Sequence, residues 1–419
     1  MSQSKGKAVV VGGSIAGVSA VHALLSAGWE VVVLEKTTAP PTGSPTGAGL
    51  GLDPLALNII SSWLPQQQSD DLLNIHSIPL TIDQNQATDA EKKMSKMLTR
   101  DERFNFRATY WSDLHGILYN ALPPEIFLWG HVFQSFRVSD DKKSVKVRSK
   151  VVQTGDVVEI AGDLLVGADG CLSSIRKALL PDVKLRYSGY CAWRGVVDLS
   201  NDKSDIFACL RKVYQDLGKC LYFDIGLGTH IVFYELLNTK INWVWYISQP
   251  EPLLKGNSVT MKVSNDMIKK MQDEAEKTWV PELVTVIKET KEPFLNVIYD
   301  CDPLHQIVWD RVVLIGDAAH PTTPHGVRST NMSILDASVL GECLMKSGVE
   351  KLATGLEEYQ STRVPVTSKQ VLHSRKMGRI KQGLAFVDGK VFDPRTATPE
   401  ECKDLQQNCM PGFSDMLQG

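Results

Sequence analysis

The chain has 419 residues, 43% of them hydrophobic and 22% charged, with a formal net charge of −3 and a pI near 6.3. That length exceeds one ordinary core and predicts two or three domains, and the charge balance offers no basis for nucleic acid or an anionic membrane as a partner. No run of about 18 apolar residues is present, so no membrane-spanning helix is expected. The first residues lack the apolar run of a signal peptide, and Leu417-Gln418-Gly419 is not a targeting address. Eight scattered cysteines form no C-x-x-C pair, which argues against zinc or a dithiol centre. A cytoplasmic protein, monomer or homodimer, is expected.

Residues 7–12 form a short apolar run ending in glycine, the pattern of a buried parallel strand. Residues 14–27 carry small or apolar side chains at 16, 17, 20, 21, 24 and 25, and Gly28 closes the helix they predict. A second buried strand follows at 30–35, completing a βαβ opening. The polar stretch 82–101 is expected as a surface excursion. A helix over 113–122, a strand-rich stretch over 127–160 and a buried strand over 163–168 come next. From 185 to 250 the strands become aromatic and alternating. Ile241, Trp243 and Trp245 share one face, and Asn242, Val244 and Tyr246 share the other. Helix is expected over 264–290, a buried strand over 311–316 and a helix over about 331–346. The residues after 385 carry no signal.

Three motifs carry chemistry. Gly12-Gly13-Ser14-Ile15-Ala16-Gly17 joins a strand to a helix, where a glycine fingerprint turns the chain and aims amide N–H groups at a pyrophosphate. Ser14 replaces the usual second glycine, and its hydroxyl can donate to the same phosphate. Glu35, 18 residues after Gly17 and followed by Lys36, can accept ribose hydroxyls. The second motif is Gly316-Asp317-Ala318-Ala319-His320-Pro321, which puts a carboxylate at a strand's end, where a ribityl chain has hydroxyls to donate. The third, Gly167-Ala168-Asp169-Gly170, again runs from a strand to a helix start. Taken singly, the last two read equally well as structural turns.

In this order and at this spacing the three motifs resemble the para-hydroxybenzoate hydroxylase superfamily, FAD-dependent and NAD(P)H-consuming aromatic hydroxylases. Trp193-Arg194-Gly195, Gly226-x-Gly228-x-His230 and 242–246 resemble its 2,6-dihydroxypyridine hydroxylase branch. The resemblance implies an α/β protein, α+β overall. Its Rossmann-like FAD-binding domain would be discontinuous (1–80, 100–184, 295–375), with an inserted, largely antiparallel substrate sheet (185–294) and a C-terminal tail (376–419). It also implies FAD held by Gly12, Ser14, Ile15, Ala16, Gly17, Glu35, Lys36, Gly49, Arg107, Asp169, Gly316, Asp317, Pro324, Arg328, Ser329, Thr330 and Asn331. NADPH or NADH would reduce the flavin. Dioxygen would add at its C4a carbon, and the resulting hydroperoxyflavin would hydroxylate or epoxidise a small aromatic or N-heteroaromatic substrate. His230, Tyr222 and Tyr246 are candidates for a substrate base by location, although a lone strand histidine is as readily structural. Trp193, Trp243 and Trp245 either line a pocket or fill a core. After Gly326 the chain departs from the family, with Val327-Arg328-Ser329-Thr330 where further glycines are usual, and with Leu335 in an acidic position. The open alternatives are a flavin oxidase, dehydrogenase or cyclase on the same fold, and a flavoprotein that only binds.

Overall fold

The computed structural model describes residues 6–41, 47–89, 91–200, 203–254, 256, 258–384 and 389–411. The readings of residues 1–5 and of 417–419 fall outside them. A six-stranded sheet runs in the order Val308–Trp309, Val312–Leu314, Leu164–Gly167, Lys7–Val11, Glu30–Glu35, Phe127–Trp129. All its pairs are parallel except the one at the Val308–Trp309 edge. Its central strands are apolar on both faces, as burial under helices on either side demands. The helix Ile15–Ser26 packs against the helix Ser329–Ser347 so closely that a Cβ on Gly341 would lie 2.9 Å from the Ala23 carbonyl oxygen.

A second sheet has eight strands in the order Thr260–Met261, Phe294–Asp300, Arg186–Asp198, Lys240–Ser248, Thr229–Leu236, Cys220–Gly226, Ile82–Asp89, Met94–Asp101. It is antiparallel except where Cys220–Gly226 meets Ile82–Asp89. The 82–101 stretch is therefore sheet and not a surface excursion. Its polar side chains mislead because their partners are remote and buried. Asp83 accepts from the Gln407 amide at 2.7 Å, Asn85 from Lys381 at 2.8 Å, and Gln86 donates to Asp224 at 2.6 Å. Burial raises the Asp83 pKa to about 6, against the pull of Lys381 and the Gln407 amide, and lowers that of Lys381 to about 7, against Asp83.

Trp193, Trp243 and Trp245 pack on the helices Ser204–Val213, Asn265–Thr278 and Pro281–Lys288. The helix expected over 264–290 is thus two, separated at Trp279–Val280, with Pro281 starting the second. The opposite face, with Val244 and Tyr246, turns toward the first domain's loops. A small sheet of Gly49–Leu52, Phe106–Tyr110 and Ser77–Leu80 lies nearby. The helix Leu352–Lys381 has only a weak amphipathic pattern and escapes the sequence reading.

One carboxylate ties the end of the Val312–Leu314 strand to both long C-terminal helices. Asp336 is fully buried and accepts from the Gly316 amide at 2.8 Å, from His320 Nε2 at 2.5 Å and from Arg363 Nε at 2.7 Å. Burial alone would raise its pKa, but His320, Arg363 and the Gly316 amide hold it down to about 2. Its stabilising contribution is therefore whole above about pH 4 and is lost as the pH falls toward that value. Asp336→Asn, which leaves Arg363 buried beside a neutral amide, is predicted to lower stability in urea denaturation by about 3 kcal/mol or more at pH 7. A loss below about 1 kcal/mol would show that the charge is not what holds these elements.

Candidate functional site

Two cavities open along the C-terminal edge of the parallel sheet, where ligands bind in such folds. The first, about 540 Å³, is lined by Gly12–Ser14, Glu35, Lys36, His115 and Asp169–Gly170, among others. Gly12 has φ +106°, and a Cβ there would lie 2.3 Å from the Ala168 carbonyl oxygen. A Cβ on Gly17 would lie 1.8 Å from the Gly12 carbonyl oxygen. Only glycine fits either position. The first intrahelical bond runs from the Val18 amide to the Ser14 carbonyl, so the Ile15, Ala16 and Gly17 amides lie in the helix's unsatisfied first turn. Exposed Ser14 caps that helix by position without a side-chain hydrogen bond. The backbone thus forms an anion cradle with its donors in place, which suits a pyrophosphate.

Glu35 accepts from the Gly13 amide at 2.7 Å and the Thr37 amide at 2.9 Å, so its carboxylate is fixed at the cavity wall. His115, which sequence reasoning missed, places Nε2 at 2.8 Å from the Gly13 carbonyl oxygen and stacks on Trp111. Burial lowers its pKa, so it is neutral near pH 7. Asp169 accepts from Ser173 Oγ and from the Ser174 amide at 2.7 Å, capping a short helix. Arg176, in that helix, donates to the carbonyls of Asp317 at 3.1 Å and Ala318 at 2.8 Å, joining the second and third motifs. Ala16 packs against Gly316, the residue before Asp317, since a Cβ on Gly316 would lie 3.0 Å from its own.

The second cavity, about 290 Å³, is walled by Gly49–Gly51, by Asp317 and Pro324–Thr330, and by the sheet side chains Arg194, Phe223, Tyr234 and Tyr246. Burial raises the Asp317 pKa, and Ser329, whose hydroxyl donates to it at 2.7 Å, opposes the rise. Asn331 is a clamp. Its amide nitrogen donates to the carbonyls of Gly51 at 2.9 Å and Val327 at 2.7 Å, and its oxygen accepts from the Asp53 amide at 3.0 Å. The Gly49 amide donates to Asn242 at 2.7 Å, which fixes the strand to the aromatic sheet. Val327 has φ +56°, a conformation that costs a β-branched residue roughly 1–3 kcal/mol.

Among the expected site residues, Arg107 lines neither cavity. It bonds Ser77 and the Leu73 carbonyl instead. Tyr222 lies on the tryptophan face, where its hydroxyl accepts from the Asp216 amide at 3.0 Å. Alternation along the strand puts it on the face away from the cavity, and the three tryptophans are core for the same reason. His230 is buried behind the cavity, with Nδ1 2.9 Å from Gln382 Oε1 and Nε2 3.0 Å from His325 Nε2. The Gln382 amide nitrogen donates to the Gly228 carbonyl, so its oxygen faces His230. His230 therefore donates from Nδ1 and accepts from His325. Burial holds His230 well below the usual histidine pKa, and burial together with Lys381 and Arg194 lowers His325 to about 3. Of the three base candidates only Tyr246 lines the cavity. Burial raises its pKa to about 12 against the opposing charge of Arg194, so it is a donor at neutral pH. Arg194 itself is half-buried in the wall, and no carboxylate pairs with it among the described residues.

Comparison with known proteins finds relatives of the same fold. Residues 301–374 match the model of an FAD binding domain family. The chain is 25% identical to the 2,6-dihydroxypyridine 3-monooxygenase of Paenarthrobacter nicotinovorans over 93% of this chain and 95% of that one. It is 26% identical to the 6-hydroxynicotinate 3-monooxygenase of Pseudomonas fluorescens over 88% and 90%. It is 28% identical to the aurachin C monooxygenase/isomerase of Stigmatella aurantiaca, but there it spans only 63% of the relative's length. The solved 2,6-dihydroxypyridine-3-hydroxylase of Arthrobacter nicotinovorans has the same fold, with a TM-score of 0.74 at 22% identity over 93% and 97% of the two chains. So does Klebsiella pneumoniae HpxO complexed with FAD and uric acid, with a TM-score of 0.75 at 20% identity over 98% and 96%. By these likenesses the chain is a homologue of FAD-dependent aromatic monooxygenases and an oxidoreductase.

The strain at Val327 reverses an ordinary ranking. Glycine is normally less stable than alanine, but at φ +56° only alanine keeps the clash of its Cβ. Val327→Gly is predicted to be more stable than Val327→Ala by about 1 kcal/mol in thermal or urea denaturation. The opposite order would show that the loop carries no such strain.

Proposed function

We propose that this flavin monooxygenase homologue binds FAD across both cavities, takes reducing equivalents from NADPH or NADH, and hydroxylates or epoxidises a small aromatic or N-heteroaromatic substrate. One observation carries this reading. The phosphate cradle and the Gly316-Asp317 loop are neighbours, with Ala16 against Gly316, so one extended dinucleotide can meet Gly12–Gly17 and Glu35 with one end and Asp317 to Asn331 with the other. The residues fit the cofactor. The cradle excludes a Cβ at Gly12 and Gly17, Glu35 and Asp169 are fixed carboxylates beside it, and Asp317 can accept from ribityl hydroxyls. Bound flavin would supply reductive activation of dioxygen for transfer to an electron-rich ring. The 185–294 sheet, joined by 82–101, would form the substrate side.

The protein's own task is to hold the ring and exclude water. Arg194 brings a cation into an aromatic wall, and Tyr246 brings a hydroxyl that stays protonated at neutral pH. Both favour a substrate that presents an ionised oxygen, whether a ring oxyanion or a carboxylate. His230 positions His325 by a hydrogen bond and does not reach the cavity wall.

The test is anaerobic NADPH or NADH addition to the FAD-loaded protein with a panel of hydroxypyridines, hydroxynicotinates and phenols, followed by aerobic turnover under ¹⁸O₂. One panel class is predicted to speed flavin reduction by about tenfold or more and to give product carrying one labelled oxygen. Arg194→Met is predicted to raise KM for that ligand by about tenfold, the loss of about 1.4 kcal/mol of binding, with the flavin spectrum unchanged. Oxidised product without label would assign another flavin reaction. Flavin that neither nucleotide reduces would assign a binding role.

A further inference from the structure

The loop that departs from the glycine pattern introduces a buried charge. Arg328 Nη1 donates to Asp53 Oδ2 at 2.6 Å, with 2% and 0% of the two side chains exposed. Asp53 also caps the helix Pro54–Trp63 by accepting from the Ala56 amide at 2.7 Å. The pair therefore links the start of that helix to the start of Ser329–Ser347. Its placement is asymmetric. Arg328 lines the 290 Å³ cavity, whereas Asp53 is not among the lining residues. Arg328 thus belongs to the cavity wall while its guanidinium stays buried in the pair, and Asp53 is not part of that wall. The 19-residue helix beginning at the next residue adds its positive end to the same rim. Asp317 shares that rim and opposes them, with its charge held by the Ser329 hydroxyl.

We propose that Arg328, held in place by Asp53, sets the reduction potential of the flavin by stabilising negative charge on the reduced ring. This rests on the reading that the isoalloxazine occupies this cavity. A hydride from the nicotinamide delivers two electrons and one proton. It leaves one negative charge on the reduced ring unless a second proton follows from solvent. A cation beside a buried ring favours that charged product, and the effect is larger where water is excluded.

The alternative is that the ion pair only staples two helices. A charge cycle separates the two. Asp53→Asn, Arg328→Gln, the double variant and Arg328→Lys are loaded with FAD, and the midpoint potential of each is measured by dye equilibration. Asp53→Asn uncovers the cation and is predicted to raise the potential above wild type. Arg328→Gln exposes the carboxylate and lowers it. The double variant falls below wild type but above Arg328→Gln, and Arg328→Lys stays near wild type. Each full charge step should change the ratio of reduced to oxidised flavin at fixed poise by about tenfold or more, which is about 30 mV for a two-electron couple. If a single variant does not fold, the order of the double variant below Arg328→Lys decides. Flavin-loaded variants with equal potentials, or loss of flavin from all four while wild type retains it, would overturn the proposal in favour of a staple. Wild-type protein that takes up no flavin would instead overturn the reading of the site.

Discussion

Asp336 has no access to solvent, yet three donors from three parts of the chain converge on it: the Gly316 amide, His320 and Arg363. A buried carboxylate without partners would cost several kcal/mol, so its presence obliges the strand end, the loop after it and both C-terminal helices to keep one arrangement. Everything at the second cavity follows from that. Gly316 turns with φ +57°, Asp317 faces the cavity, and Ser333 beside Gly316 starts no clash because glycine leaves the space. Asn331, one turn earlier on the same helix, then reaches Gly51 and Asp53 and brings the neighbouring strand to the rim.

The aromatic sheet answers a different constraint, the two-residue period of a strand. Putting the tryptophans against three helices forces Val244 and Tyr246 toward the second cavity, and it sends Tyr222 to the opposite face. The same sheet then needs polar groups behind the cavity to be paired. His230, His325 and Gln382 satisfy one another, and the pair of histidines stays neutral because charging either in so buried a place would be costly. The C-terminal stretch serves this purpose, bringing Gln382 to His230 and the Gln407 amide to Asp83.

How much of this was legible in the sequence depends on the distance between partners. The fingerprint, its helix, Gly28 and Glu35 were readable because they are local: a turn needs glycine within a few residues of where it turns. The Gly-Asp strand end was readable for the same reason. The strand at 82–89 was hidden because Asp83, Asn85 and Gln86 look solvated until Gln407, Lys381 and Asp224 are placed beside them. Arg328 could be seen as an intruding charge, but not as one paired with Asp53, 275 positions away. His115 gave no signal beyond its place on a helix, since its partner is the backbone of Gly13. Arg107 pointed to the cofactor only through resemblance, and its geometry is spent on Ser77 and Leu73. Patterns of period report which face is buried. They do not report which buried polar group will find a partner.

The central claim is that one FAD lies along the C-terminal edge of the parallel sheet. The most direct measurement is a high-resolution crystal structure of the protein after FAD is added in excess. The account predicts one flavin per chain, with its pyrophosphate on the Ile15–Gly17 amides, an adenosine ribose on Glu35, a ribityl hydroxyl on Asp317 and its ring beside Pro324–Thr330. Empty density in both cavities at saturating FAD, or a flavin bound with its phosphates away from Gly12–Gly17, would contradict it.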